Sequence, residues 1–448
     1  MRIAFVESPS ATGLSLAGRM DGMRSGVGHR VTRRGFLKRA GLVAGSVVGF
    51  PALVPSTVFG AGAPSNMLTM ACVGVGGQGS GNMRAFHGSK EVRVMAVCDV
   101  DSSHCEKAAQ AVGLGKEACF RDFREVVGRE DIDLVSVGTP DHWHVPVSIA
   151  AVRAGKDVYC EKPLTLTIAE GRALADEAAR YGRIVQTGSQ QRSSSNFRLA
   201  CELVRNGRIG KITEVTVGIP GNNRTCEPTW EPMPVPPELD YDLWLGPAPW
   251  EPYHKQRCHY EFRFLLDYSG GQITNWGAHH LDIAQWGLGM DDSGPVEVLG
   301  KGEFPTTGLF TTATKTHFEV VYANGVRLTC ATGGSGTRFI GTEGMVYVDR
   351  GKLQTTPEAL AKDTIGPDEI HLYESNNHIR NFIECVKTRK QPICNAEVGH
   401  RSSTLCHLGN IAMLLKRKLQ WDPVKEQFVG DRAANGMAAR AMRSPWRI

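Results

Sequence analysis

The chain has 448 residues, with 51 Lys and Arg against 46 Asp and Glu, 12 Cys, 23 Pro, 51 Gly and a hydrophobic fraction of 41%. These values exclude a disordered chain, a disulfide-dense miniprotein and a collagen-like fibre, and at ~150 residues per domain the length implies two or three domains. Eight basic and two acidic residues fall within positions 1–63, so a chain of formal charge +5 leaves its remainder near −1, which gives no electrostatic case for a nucleic-acid partner.

The first element is an address. Thr32-Arg33-Arg34-Gly35-Phe36-Leu37-Lys38 precedes a weakly apolar run over 40–59 and then Ala61-Gly62-Ala63. Charge, apolar stretch and small-residue cleavage pattern in that order form an export signal. Gly41, Gly45, Gly49, Pro51 and Pro55 interrupt the run, which falls short of the ~20 apolar residues of a membrane span, so no stable membrane anchor is expected. The paired arginines resemble the twin-arginine signal, whose export machinery carries folded proteins. Residues 1–63 are therefore expected to send the chain to the periplasm or otherwise out of the cytoplasm. The twelve cysteines include no C-x-x-C pair, and Cys72, Cys98 and Cys160 lie in or at the ends of apolar runs, so few or no disulfides are expected.

Residues 64–189 read as a dinucleotide-binding domain of the Rossmann type. An apolar run over 68–74 enters Gly74-Val75-Gly76-Gly77-Gln78-Gly79, and residues 82–86 can continue as helix. In that position G-x-G-x-x-G has a mechanism. The first glycine allows the tight turn, the second lets backbone N–H groups approach a diphosphate, and the third lets helix and strand pack closely. The next strand, 92–98, ends at Asp99, twenty residues beyond Gly79, where a carboxylate would accept hydrogen bonds from a ribose. Asp99 and Asp101 place two negative charges where a 2′-phosphate would sit, which favours NAD over NADP. Helices at 102–112, 121–129, 145–154 and 167–181 alternate with strands near 117–120, 132–138, 157–160 and 183–188. This alternation predicts a parallel sheet covered on both faces. Thr139, Pro140, Asp141, His142 and His144 follow the strand at 132–138, and Glu161, Lys162 and Pro163 follow the one at 157–160. Both groups fall on the carboxyl edge, where ligands bind. There Lys162 can present its ammonium to a substrate oxygen.

From 190 to 425 the pattern becomes α+β. Strand-like runs at 211–219, 296–304, 313–323, 326–332 and 344–349 are joined by turn signals such as Ala323-Asn324-Gly325, which predicts a largely antiparallel sheet. Helical patterns follow at 376–390 and 397–417, with a tail over 426–448. Residues 220–252 hold nine prolines with Trp230, Tyr241, Trp244 and Trp250, either a packing arm or a lid. In the segment 270–282, a helix starting near Thr274 or Asn275 would align Asn275, His279 and Asp282 on one face. His279 would then be a proton carrier oriented from either side. Two other readings of the histidines stand beside it: satisfied core side chains, or a zinc site from His142, His144, His279 and His280. Adjacent histidines on a helix diverge by ~100°, so no metal is expected.

The glycine turn, Thr139-Pro140 with His144, Cys160-Glu161-Lys162-Pro163, Gly207-Arg208-Ile209-Gly210-Lys211 and the segment 270–282 together resemble the Gfo/Idh/MocA family over roughly 66–425. The resemblance implies a Rossmann domain followed by a domain on an open, largely antiparallel sheet, with NAD(P)-dependent oxidation or reduction of sugars and polyols. It places the family lysine on Lys162 and the family histidine on His279, adds Thr139, Pro140, His144 and Glu161 to the cofactor side, and suggests a homo-oligomer. The family's usual Asp four residues before the histidine is Asn275 here. An amide cannot raise the histidine pKa as a carboxylate does, which leaves three outcomes: weaker proton abstraction by His279, Asp282 taking over the electrostatic part, or a different reaction. Free NAD(H) is scarce outside the cytoplasm, so the resemblance leaves three routes. These are an oxidoreductase with tightly bound cofactor, a redox-neutral glycosidase or lyase using transient oxidation, and a carbohydrate-binding relative without catalysis.

Overall fold

The computed structural model describes residues 67–222, 224 and 227–448; the export signal expected over 1–63 lies outside them. The first half alternates as expected: β1 (Leu68–Val73), α1 (Gly77–His87), β2 (Val92–Cys98), α2 (Ser102–Ala111), β3 (Cys119–Phe120), α3 (Phe123–Val127), β4 (Leu134–Val137), α4 (Asp141–Arg153), β5 (Asp157–Cys160), α5 (Ile168–Tyr181) and β6 (Val185–Thr187). All strands are parallel, in the order β3-β2-β1-β4-β5-β6. The order reverses between β1 and β4, and that switch point opens a crevice at the carboxyl ends of the strands. Two helices begin earlier than their apolar periods indicate. Helix α1 starts at Gly77 and α4 at Asp141, both without a side-chain cap, because the first turn of a helix makes no intrahelical N–H bonds and does not depend on apolar residues.

The second half comprises α6 (Ser195–Arg205), β7 (Ile212–Ile219), α7 (Tyr241–Leu245), α8 (Ala278–Leu288), β8 (Glu297–Gly300), β9 (His317–Val321), β10 (Arg327–Thr332), β11 (Thr337–Gly341), β12 (Met345–Asp349), β13 (Lys352–Thr356), α9 (His378–Thr388), α10 (Ala396–Leu415), β14 (Leu419–Asp422), β15 (Gln427–Phe428) and α11 (Arg432–Met437). Its sheet runs β13-β12-β11-β7-β10-β9-β8-β14-β15. Every pairing is antiparallel except β7 with β10, which is parallel. Between β9 and β10 the Asn324-Gly325 turn closes as its sequence indicates, with Gly325 at φ 86°.

The two sheets are tied by helices from the end of the chain. Helix α10 packs against α5 of the first sheet and against α8 and β8 of the second. Phe382 and Ile383 of α9 return to the first half, sharing a core with Met70, Phe86 and Tyr159. Residues 426–448, expected as a tail, supply β15 and α11, and Phe428 and Ala434 are buried in the second core. Among the described residues no helix is long and apolar enough to cross a membrane, and eleven cysteines are free thiols.

Candidate active site

At the switch point, three glycines hold the turn together sterically. Gly74 has φ 76°, and a Cβ on it would lie 2.7 Å from Thr139 Cα. A Cβ on Gly79 would collide with Gly74 O, and one on Gly138 would sit 2.6 Å from Gly79 Cα. Strand, turn and helix therefore pack backbone to backbone. A Cβ on Gly77 would meet nothing within 4 Å, and one on Gly76 would meet only the His104 ring at 3.4 Å. Helix α1 carries neither an acidic residue in its first turn nor a side-chain cap, so its N–H groups and positive dipole end are left for an anion. The turn is braced by Asp99, whose carboxylate accepts from Val75 N at 2.8 Å and Asp101 N at 3.0 Å. Burial pushes the Asp99 carboxyl up, partly offset by these bonds and by His104.

Asp101 has a different task. It caps α2 through the Ser103 and His104 N–H groups, and its Oδ2 lies 3.9 Å from His104 Nε2 and 3.8 Å from His259 Nε2. These three are the group among the described residues whose ligand atoms come within 4.8 Å of one another. The four histidines weighed as a zinc site have other partners or none. His142 Nε2 lies 2.9 Å from Trp244 O, His144 sits between Pro163 O at 2.6 Å and Thr139 O at 2.9 Å, and His280 Nε2 is 3.3 Å from Ser335 Oγ. The fourth, His279, faces the cleft. His144 thus fastens the chain after Lys162 to the turn after β4.

The reaction end forms where β5 stops. Glu161 is fixed by Asn82 at 2.8 Å and Gln190 at 3.1 Å, while Gln78 turns along α1 to Asn82 at 3.1 Å. Lys162 Nζ donates to both Asn275 O at 3.0 Å and Asn275 Oδ1 at 3.1 Å. Asn275 lies in a π-helical turn, Ile273–Gly277, immediately before α8. One extra residue per turn changes the angular phase of everything that follows, and the expected orientation of His279 fails for that reason. Asn275 binds Lys162 and Gln272, not His279. Asp282 faces the other way, accepting from buried Arg192 at 2.8–3.0 Å and from Ser402 Oγ at 2.6 Å. His279 lines the cleft with Lys162, and its Nδ1 is buried without a hydrogen-bond partner. Burial holds His279 well below the usual imidazole range, and the Lys162 and Arg350 cations push the same way. Burial likewise lowers Lys162, with Glu161 opposing. The imidazole is therefore neutral at pH 7, and the same burial and cations weaken it as a base.

The glycine turn, Asp99, Lys162 and His279 share one cleft of about 990 Å³, at the upper end of ligand-site volumes. One wall comes from residues 239–244 and 259–263, so the Pro-rich region packs into a core and also borders the cleft. Gln191, Arg263, Trp276 and Arg350 also line the cleft. Trp276 falls within the 270–282 segment, but no motif flags Gln191, Arg263 or Arg350, because they lie on turns without a repeated spacing. Thr139 Oγ1 and both amide atoms of Gln191 are buried without partners, as expected of groups kept for a ligand.

Residues 68–189 match the family model described as the oxidoreductase family's NAD-binding Rossmann fold, and residues 203–448 match its C-terminal alpha/beta domain. The chain belongs to the Gfo/Idh/MocA oxidoreductase family. A curated member of similar sequence, a glycosyl hydrolase family 109 protein of Shewanella pealeana, is 29% identical over 204 residues, 41% of this chain and 44% of that relative. The match thus spans less than half of the relative's length. Two solved structures share the Gfo/Idh/MocA fold at a TM-score of 0.60. Aldose-aldose oxidoreductase of Caulobacter crescentus is 19% identical, with 79% of this chain and 99% of that one covered. The WlbA dehydrogenase of Bordetella pertussis, solved with NADH and UDP-GlcNAcA, is 17% identical, with 80% and 99% covered.

Proposed function

We propose that this Gfo/Idh/MocA enzyme is exported with NAD tightly bound and oxidises a secondary alcohol of a sugar, polyol or glycoside. The observation that carries the reading is the meeting of Lys162 and His279 in the cleft that begins at the glycine turn. The residues fit the cofactor. The uncapped first turn of α1 would hold the diphosphate, Asp99 the adenosine ribose, and Thr139 and Gln191 offer unpartnered polar atoms further along. The carboxylates of Asp99 and Asp101 favour NAD over NADP by repelling a 2′-phosphate.

Bound nicotinamide supplies the hydride acceptor. Lys162, immobilised by Asn275, donates a hydrogen bond to the alcohol oxygen and stabilises negative charge as it develops. His279 takes the hydroxyl proton. The 239–244 wall limits water. The similarity to a family 109 glycosyl hydrolase favours a second route on the same residues, in which the alcohol is oxidised only transiently and the nucleotide is restored within one turnover.

Acid-quenching the purified mature protein should release nucleotide at close to one per chain. Lys162→Met should retain that nucleotide and lower turnover at least ~100-fold, in line with loss of a charge-stabilising donor. Parallel loss of nucleotide and turnover would overturn the role given to Lys162. Deuterium loss from sugar carbon without net NADH would select the redox-neutral route.

A further inference from the structure

Two guanidinium groups at the reaction end have no acidic partner. Arg263 sits in the 3₁₀ turn Glu261–Phe264, its guanidinium 4.7 Å over Tyr260 and 4.6 Å over Phe262, and it donates to Tyr260 O at 2.9 Å. Arg350 stands between β12 and β13, its guanidinium 4.8 Å over the Trp276 ring. That ring is in turn 6.5 Å from His279. Both arginines line the cleft with Lys162 and His279, and among the described residues neither has a carboxylate within 4.0 Å, whereas most arginines here do.

The acids at this end are committed. Glu161 is held by Asn82, Gln190 and the Lys162 N–H, and Asp141 accepts from Ser269 Oγ at 2.6 Å in a site where burial pushes its carboxyl up. Three cations, Lys162, Arg263 and Arg350, therefore face this end of the cleft, and the two carboxylates near them are bonded elsewhere. Arg263 is half-buried and Arg350 is exposed, and each guanidinium lies over an aromatic ring with no acid to pair it, which leaves its donors available. A planar fork of donors beside a ligand cleft matches an oxyanion. The cofactor diphosphate does not account for the pair. The glycine turn and Asp99 have His104 and Asp101 as charged neighbours, whereas the groups that feel Arg263 and Arg350 are Asp141, Lys162, His279 and His280.

Resting on the oxidoreductase reading above, we propose that Arg263 and Arg350 bind an oxyanion of the substrate, so that the sugar oxidised here is acidic. The shared chemistry is an anionic oxygen group near the reacting carbon, either the carboxylate of a uronate or the ester group of a sulfated or phosphorylated sugar. Such an anion also offsets the cations that disfavour a protonated His279.

The test uses the nucleotide-loaded mature enzyme and measures sugar affinity by calorimetry alongside reduction of the bound nucleotide at 340 nm. Glucuronate and galacturonate are compared with glucose and galactose, and the 6-sulfates and 6-phosphates with the same neutral parents. At least one acidic class should bind ~10–100-fold more tightly than its neutral parent, and the tighter class identifies the oxyanion. Arg263→Gln and Arg350→Gln should each reduce that preference ~10-fold. Three results would overturn the proposal: equal affinity for acidic and neutral sugars, no binding of any acidic sugar, or arginine variants that lose nucleotide while keeping their sugar preference. Acid-selective binding without reduction of the bound nucleotide supports this proposal while rejecting the redox reading. Reduction by neutral and acidic sugars alike does the reverse.

Discussion

Asn275 is the residue at which the sequence reading and the structure part most sharply. The spacing 275, 279, 282 assumes 3.6 residues per turn, and the π turn Ile273–Gly277, which contains Asn275, breaks that assumption. The amide consequently fixes Lys162, and His279 is left with a free Nδ1. Lys162 and His279 themselves were legible, because a lysine ending a parallel strand and a histidine in a Gly-rich helix entry are marked by position in the chain. Their partners were not, since partnership depends on helix phase and on loops distant in sequence. Asn275→Asp tests this coupling. A carboxylate 3.1 Å from Lys162 Nζ favours the charged lysine and, at longer range, the charged imidazole. Both folded-state pKa values then rise from their lowered positions. His279 must be neutral to accept a proton and Lys162 charged to donate a hydrogen bond. Both limbs of the rate–pH profile for bound-nucleotide reduction should therefore move upward by ~1 unit. Stopped-flow traces that leave both limbs unmoved would break the Lys162–Asn275 link.

Helix α8, which carries His279, is positioned by charge as well as by apolar packing. Arg192, in the turn Gln190–Ser193 before α6, is buried and bonds both Asp282 and Asp291, while Ser402 of α10 completes Asp282. Three elements thus meet on one carboxylate. Arg192→Ala leaves Asp282 charged and without its cation, a change that costs about 3–5 kcal/mol when a buried pair is broken. Urea unfolding should register that loss; a change under 1 kcal/mol would mean that apolar contacts alone set α8. The elements themselves were legible to different depths. Strands β1, β2 and β4 of the first sheet are mostly apolar and announce themselves, and so does the hairpin of β9 and β10. Helix α6 and strands β11, β13 and β14 were not foreseen. In β13, Lys352, Gln354 and Thr356 differ little from a polar loop, as an edge strand does. The Ser-rich entry to α6 masks the apolar period of Phe197, Ala200, Leu203 and Val204. Nor could local turn signals reveal that β10 returns to lie parallel to β7.

The whole molecule closes its cleft with chain from both halves. Residues 239–244 are stitched to the Rossmann half through Ser102 N to Glu238 O at 2.9 Å and Asp240 N to Val100 O at 2.9 Å. Trp143 Nε1 adds bonds to Leu243 O and Trp244 O, each at 3.1 Å. The stitching packs Leu239, Tyr241, Trp244 and Phe262 into a core of their own beside Val100, so this wall is ordered independently of a ligand. If the proposed export with bound NAD holds, nucleotide release requires these bonds to open. Trp143→Phe removes the indole donor while keeping an aromatic ring in the contact with Phe123, whose centroid is 5.4 Å away. Loss of a shared buried donor costs ~1–3 kcal/mol. If opening of the wall limits release, bound NADH should leave about 10-fold faster on dilution into excess NAD, followed by its fluorescence. The unfolding temperature in saturating nucleotide should fall towards that of stripped protein, because ligand stabilisation scales as RT ln(1 + [L]/Kd) and is ~2.7 kcal/mol at 100 Kd. An unchanged release rate with lowered thermal stability would show that the 239–244 wall stabilises the fold without retaining the cofactor.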